Sequence, residues 1–178
     1  GDYEKALDWH QKSLIIKEKV LGKEHPSTAI AYNNIAFIYS RQGAYGKALV
    51  WHQKALTIRE KVLGGEHPSI AHSYNNIGEI YSNEGDYEKA LDWYQKALTI
   101  REKVFGGEHL NTATTYHNMG VTYQNLGDCE KALDLYQKAL TVRKKVLGTG
   151  HPDTKQTLRN IQDLLDLSVE PPLPDGAR

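Results

Sequence analysis

The chain has 178 residues, and its 22 lysines and arginines balance its 22 aspartates and glutamates. It therefore lacks the basic footprint of a nucleic-acid binder or of a protein held to anionic membranes by bulk charge. One cysteine, Cys129, excludes an internal disulfide framework and suits a reducing compartment, which points to the cytoplasm. Apolar runs such as Leu14-Ile15-Ile16 fall far short of the roughly 20 residues that cross a bilayer, so no membrane segment is expected. The first residue, Gly1, lies inside a repeated motif and is not a methionine, as expected for a piece of a longer protein.

That motif, G-x-[YC]-x-K-A-L, begins at Gly1, Gly43, Gly85 and Gly127, a spacing of 42 residues. Self-similarity at this period predicts an all-α solenoid, in which a helix pair that cannot bury its apolar face alone stacks on copies of itself. In chain order, residues 1–22 read as one long helix, the second half of a unit. Full units follow at about 26–64, 68–106 and 110–148, and 152–167 reads as the first half of another.

The unit at 68–106 shows how each is built. Ile70, Ala71, Tyr74, Ile77, Gly78 and Tyr81 recur at three- and four-residue steps and predict a helix of about four turns. Gly85-Asp86 is a turn. Tyr87, Ala90, Leu91, Tyr94, Ala97, Leu98 and Val104 then mark a second helix of about 20 residues. Gly106-Gly107 should close it in the left-handed conformation, and Pro26, Pro68 and Pro152 should open the shorter helices. The last of these carries Leu158 for the tyrosine and Gln162 for the small residue, as a polar capping helix would. Residues 169–178, with Pro171-Pro172-Leu173-Pro174, read as a flexible Pro-rich tail.

Tyr74, Ile77-Gly78, Tyr81, Gly85, Tyr87, Ala90, Tyr94 and Ala97 resemble the tetratricopeptide repeat (TPR) signature. The long unit, with Tyr32-Asn33-Asn34, Tyr74-Asn75-Asn76 and the stretch Arg59 to Pro68, is similar to the repeats of kinesin light chains and nephrocystin-3-like proteins. The resemblance covers about residues 1–167 and implies a right-handed α-solenoid of antiparallel helix pairs, a TPR superhelix. It also implies a scaffold that binds a peptide or protein segment in a concave groove lined by the shorter helices. An asparagine commonly grips the peptide backbone there. In this sequence the matching column is Asn34, Asn76, Asn118 and Asn160. A primary amide donates and accepts, so a row of them can hold main chain without demanding a particular side chain. The alternative, that these amides tie one helix to the next, stays open.

On helical spacing, Asn33, Phe37, Ser40 and Arg41 join Asn34; His72, Asn75, Glu79, Ser82 and Asn83 join Asn76; and Thr114, His117, Val121, Gln124 and Asn125 join Asn118. These positions differ between units while the packing positions repeat, so selectivity is expected from them. Cations on the short helices are few, chiefly Arg41 and Arg159, which argues against a clamp for a terminal carboxylate. The column Arg59, Arg101 and Arg143 either borders the groove or pairs with neighbouring Glu60 and Glu102.

Other columns read as structural. Trp9, Trp51 and Trp93 should pack between repeats, and Cys129, at the place of Tyr45 and Tyr87, reads as a core substitution. His25, His67, His109 and His151 stand one repeat apart, about 10 Å for packed helices, whereas zinc needs ligands about 2 Å from one point. Loop or capping roles are therefore expected, with no metal. No phosphate loop, nucleophile motif or cofactor fingerprint appears, so neither enzymatic activity nor a cofactor is expected. The expected partner is a protein or an extended peptide, not nucleic acid or membrane. Two alternatives remain: weak self-association through the N-terminal helix edge and the incomplete end units, or service as a regulatory or sensor segment of a larger signalling protein.

Overall fold

In the computed structural model, which describes residues 2–169, eight helices follow one another: α1 (Tyr3–Leu21), α2 (Pro26–Arg41), α3 (Tyr45–Leu63), α4 (Pro68–Glu84), α5 (Tyr87–Phe105), α6 (Leu110–Asn125), α7 (Cys129–Leu147) and α8 (Pro152–Val169). No strand occurs among the described residues. Short helices of 16 or 17 residues alternate with long ones of 19 through α7. Helix α8 runs two residues past 167, to Val169; the rest of the expected tail lies outside the described residues.

Two devices alternate at the helix starts. Ahead of α1, α5 and α7, Asp2, Asp86 and Asp128 accept from the backbone N–H three residues on, at 3.2, 3.3 and 3.1 Å, which satisfies a donor the helix leaves open. Ahead of α2, α4, α6 and α8, the Nδ1 atoms of His25, His67, His109 and His151 accept from the N–H two residues on, at 3.1, 3.1, 3.1 and 3.2 Å. The histidine column is thus a set of N-caps. At the helix ends, Gly106 sits at φ 81° and ψ 169°. That is a region essentially reserved for glycine, but not the left-handed helical one expected there. Gly85, after α4, does adopt the latter, at φ 83° and ψ 5°.

The chain divides into two compact units, 1–107 and 108–178. In the first, the antiparallel run of α4 and α5 follows from the contact of Gly78 with Tyr94, on either side of the turn at Gly85. A Cβ on Gly78 would lie 2.9 Å from two ring carbons of Tyr94 and 3.1 Å from the Ala90 carbonyl oxygen. Glycine is required for this approach. Within the second unit Gly120 meets Tyr136 in the same way, with a Cβ placed 2.8 Å from the ring.

Arg59 neither borders open groove nor pairs with Glu60. It is buried, and its guanidinium donates to the Ser69 carbonyl at 3.1 Å and to Ser73 Oγ at 2.6 Å, fastening α3 to α4. Glu60 accepts instead from the Tyr74 hydroxyl at 3.0 Å. Arg143 likewise fastens α7 to α8 through the Asp153 carbonyl and Thr157 Oγ1. Trp51 and Trp93 pack at a tilt against Tyr32 and Tyr74 of their own helix pairs, centroids 5.5 Å apart, and also touch the clusters shared with the preceding long helix. Cys129 is exposed, which corrects its reading as a core residue: at the first position of α7 the short side chain does not reach the interior.

Candidate functional site

Short helices α2 and α4 stand side by side in the first unit with α3 behind them. Together they enclose a cavity of about 280 Å³ lined by Asn33, Asn34, Phe37, Ser40 and Arg41 of α2, His52 of α3, and His72, Asn76 and Glu79 of α4. The helical period accounts for this set. On α2, residues 33, 34, 37, 40 and 41 share one face, and on α4, residues 72, 76 and 79 do. The opposite faces carry Ile35 and Ile77, which are buried in the core.

A hydrogen-bond chain runs across the cavity. His52 is 2% exposed, and its Nδ1 lies 2.8 Å from Asn33 Oδ1, an oxygen that can only accept, which places the ring proton on Nδ1. Asn76 Nδ2 donates to the same oxygen and to His72 Nδ1, both at 3.4 Å. Burial pushes the His52 pKa down to about 4, with His72 and Arg59 adding positive field. His72 opens to solvent at the cavity mouth, yet the surrounding protein lowers its pKa as well, helped by Arg59 and Arg101. Both rings are therefore neutral at pH 7. The Glu79 carboxyl is raised by desolvation, and Arg41 pulls against that rise.

Eight of the expected groove residues in this unit meet at the cavity: Asn33, Asn34, Phe37, Ser40, Arg41, His72, Asn76 and Glu79. Asn75 does not line it. It is buried, and its Oδ1 accepts from Arg101 at 3.4 Å, so its amide is structural. Asn83 is exposed near the end of α4, outside the cavity. In the second unit, His117 lies against Tyr136, ring centroids 5.4 Å apart, and within 3.3 Å of Thr157 Oγ1. Burial brings the His117 pKa down to about 4, with Arg143 adding to the shift and Asp153 opposing it. Val121 is partly buried and packs on the cluster of Ala132, Tyr136 and Leu164. Asn160 donates to the Tyr136 hydroxyl at 3.1 Å and accepts from Gln156 at 2.8 Å. Asn118 is half-buried and Asn125 exposed.

His52 is the cavity residue that the sequence reading misses. Its signal is the column His10, His52, Tyr94 and Tyr136, in which an imidazole replaces a packing tyrosine. Among the described residues no group of three or more His, Cys, Asp or Glu side chains could hold a metal ion. No helix among them is long and apolar enough to cross a membrane.

The tetratricopeptide repeat family pattern matches residues 1–61, 30–103, 69–145 and 118–167. The chain belongs to the tetratricopeptide repeat family. Similar solved structures agree on the TPR fold. BtubC (BKLC) from P. vanneervenii is 24% identical with a TM-score of 0.81, the match covering 100% of this chain and 79% of that one. Two crystal structures of nearly identical TPR-like repeats from Podosopora anserina, named for a kinesin light chain, are 22% and 23% identical with TM-scores of 0.76 and 0.75. Each covers 94% of this TPR chain, which in turn spans 79% and 80% of theirs. No curated protein sequence matches it. TPR repeats typically mediate protein–protein interaction, and the fold is generally non-catalytic.

Proposed function

We propose that this TPR chain is a docking scaffold that receives an extended peptide segment of a partner protein along the exposed face of α2 and α4. The observation that carries the reading is the unspent polarity of the cavity. Asn34, Ser40, Arg41 and Glu79 line it, and none of their side chains has a hydrogen-bond or ion-pair partner among the described residues. Polar groups ordered on a concave face without internal partners are free to bind a ligand, each bond contributing about 0.5–1.5 kcal/mol net. The asparagine column divides on this criterion: Asn34 is free, whereas Asn76 already bridges α4 to Asn33 of α2.

The division supplies the test. Random heptapeptides displayed on phage are selected on the 178-residue chain, and the best binder is titrated by calorimetry. Asn34→Ala should weaken that peptide by about three- to tenfold, one lost hydrogen bond, with the melting temperature unchanged. Asn76→Ala should lower both affinity and melting temperature. An Asn34→Ala protein that binds as tightly as the wild type would move the docking site away from this face.

A further inference from the structure

Two opposite charges share the cavity without neutralising one another by contact. Arg41 on α2 and Glu79 on α4 both line it, and among the described residues they form no ion pair, although the guanidinium is near enough for its field to reach the carboxyl. Beneath them Arg59 is committed to Ser69 and Ser73, and His52 is held neutral. The wall thus offers one cation, one anion, the Asn34 amide and the Ser40 hydroxyl, beside a Phe37 ring that is 61% exposed.

We propose that this cavity is a specificity pocket for a primary carboxamide, the side chain of a glutamine or asparagine in the docked segment, held with its carbonyl on Arg41 and its NH2 on Glu79. This rests on the docking reading above. A guest carboxylate would gain Arg41 but face Glu79. A guest ammonium would gain Glu79 but face Arg41 and the buried Arg59. The carboxamide presents an acceptor to the cation and donors to the anion at once, and it has no net charge to desolvate. Its methylene stem lies against Phe37. A volume of about 280 Å³ falls just under the range of roughly 300–1,000 Å³ typical of small-molecule sites, which suits a single side chain. The charge pair does not recur in the repeat: Asn83 and Asn125 stand at the repeat positions of Arg41, and Phe37 and Val121 at those of Glu79. The carboxamide would therefore be read at one place along the partner.

The probe is a positional-scanning library of N-acetylated, C-amidated heptapeptides applied to the immobilised chain. At one position glutamine and asparagine should be enriched about fivefold or more over glutamate, lysine and leucine, because a pocket that offers a cation and an anion side by side discriminates against guests that satisfy only one of them. Glu79→Gln should shift the preference at that position to glutamate, and Arg41→Gln should shift it to lysine. Both side chains are exposed, so circular dichroism should match the wild type. Retention of peptides with no side-chain preference, or a wild-type preference for a charged residue, would overturn the carboxamide pocket and leave the docking groove standing. A library from which nothing is retained would overturn both.

Discussion

Single residues set how closely the helices of a pair approach. Three size-matched couples recur one repeat apart: Ala36 with His52, Gly78 with Tyr94, and Gly120 with Tyr136. Where the aromatic ring is full-sized, the facing residue has no Cβ to spare. Where it shrinks to imidazole, alanine fits. Gly78→Ala should therefore cost about 1–3 kcal/mol through overpacking, since its methyl would meet the Tyr94 ring well inside contact distance. Adding Tyr94→His, which recreates the couple found at 36 and 52, should recover part of the loss. Urea denaturation of the single and double variants checks this, and a double variant weaker than the sum of its parts would mean that the couples are coincidental. The small-against-large logic was legible in the sequence because glycine and tyrosine recur in register. His52 escaped because its value depends on a partner on another helix, Asn33, that spacing along one helix does not reveal. For the same reason Asn75 and Asn76, adjacent in sequence, read alike, although one is buried on Arg101 and the other faces the cavity.

Among the helices, α3 is the weakest in its own first turn. The motif that opens α1 and α5 as Asp-Tyr-Glu-Lys reads Ala44-Tyr45-Gly46-Lys47 there, and Ala44 makes no side-chain cap. Helix α3 thus lacks both the capping carboxylate and an acid at the positive end of the helix dipole, and it carries a glycine that costs helical propensity. A Cβ on Gly46 would meet nothing within 4 Å. Ala44→Asp with Gly46→Glu should therefore stabilise the chain by about 1–2 kcal/mol, each substitution contributing independently. Thermal unfolding of the two single variants and the pair is the measurement. A fall in melting temperature would show that α3 needs its loose start. The helix boundaries followed from proline, aspartate and the 42-residue period, which act locally. The backbone angles at Gly106 were less legible, because glycine permits two positive-φ regions and the loop beyond decides between them. Cys129 misled for a related reason: a repeat position identifies a place in the helix, but the short cysteine side chain does not reach the contact that leaves Tyr45 and Tyr87 half-buried at that place.

Across the whole molecule, charge balance and buried imidazoles together dictate an acid sensitivity that the exposed ion pairs do not. His52 in the unit 1–107 and His117 in the unit 108–178 have pKa values brought down to about 4 by burial, from 6.5 in the open chain, and His72 moves in the same direction. Between those values the unfolded chain binds protons that the folded one refuses, so stability rises with pH across that interval. The contribution is complete above 6.5 and is lost as the pH falls toward 4, up to about 3 kcal/mol for each of His52 and His117. Asp2, Asp86, Asp128 and Glu108 are held low by lysines, but these pairs are exposed and screened by solvent, and what they contribute is lost only from about pH 5 downward, at the acid end of that interval. Calorimetric scans should therefore show the melting temperature descending from pH 7 to 4.5, with both units affected in the same window. His52→Gln with His117→Gln should flatten the descent at the cost of some stability at neutral pH, since glutamine keeps an amide donor for Asn33 and takes up no proton. A wild-type melting temperature that stays level down to pH 4.5 would mean that both rings gain protons without leaving their places, and the neutral network across the cavity would have to be given up.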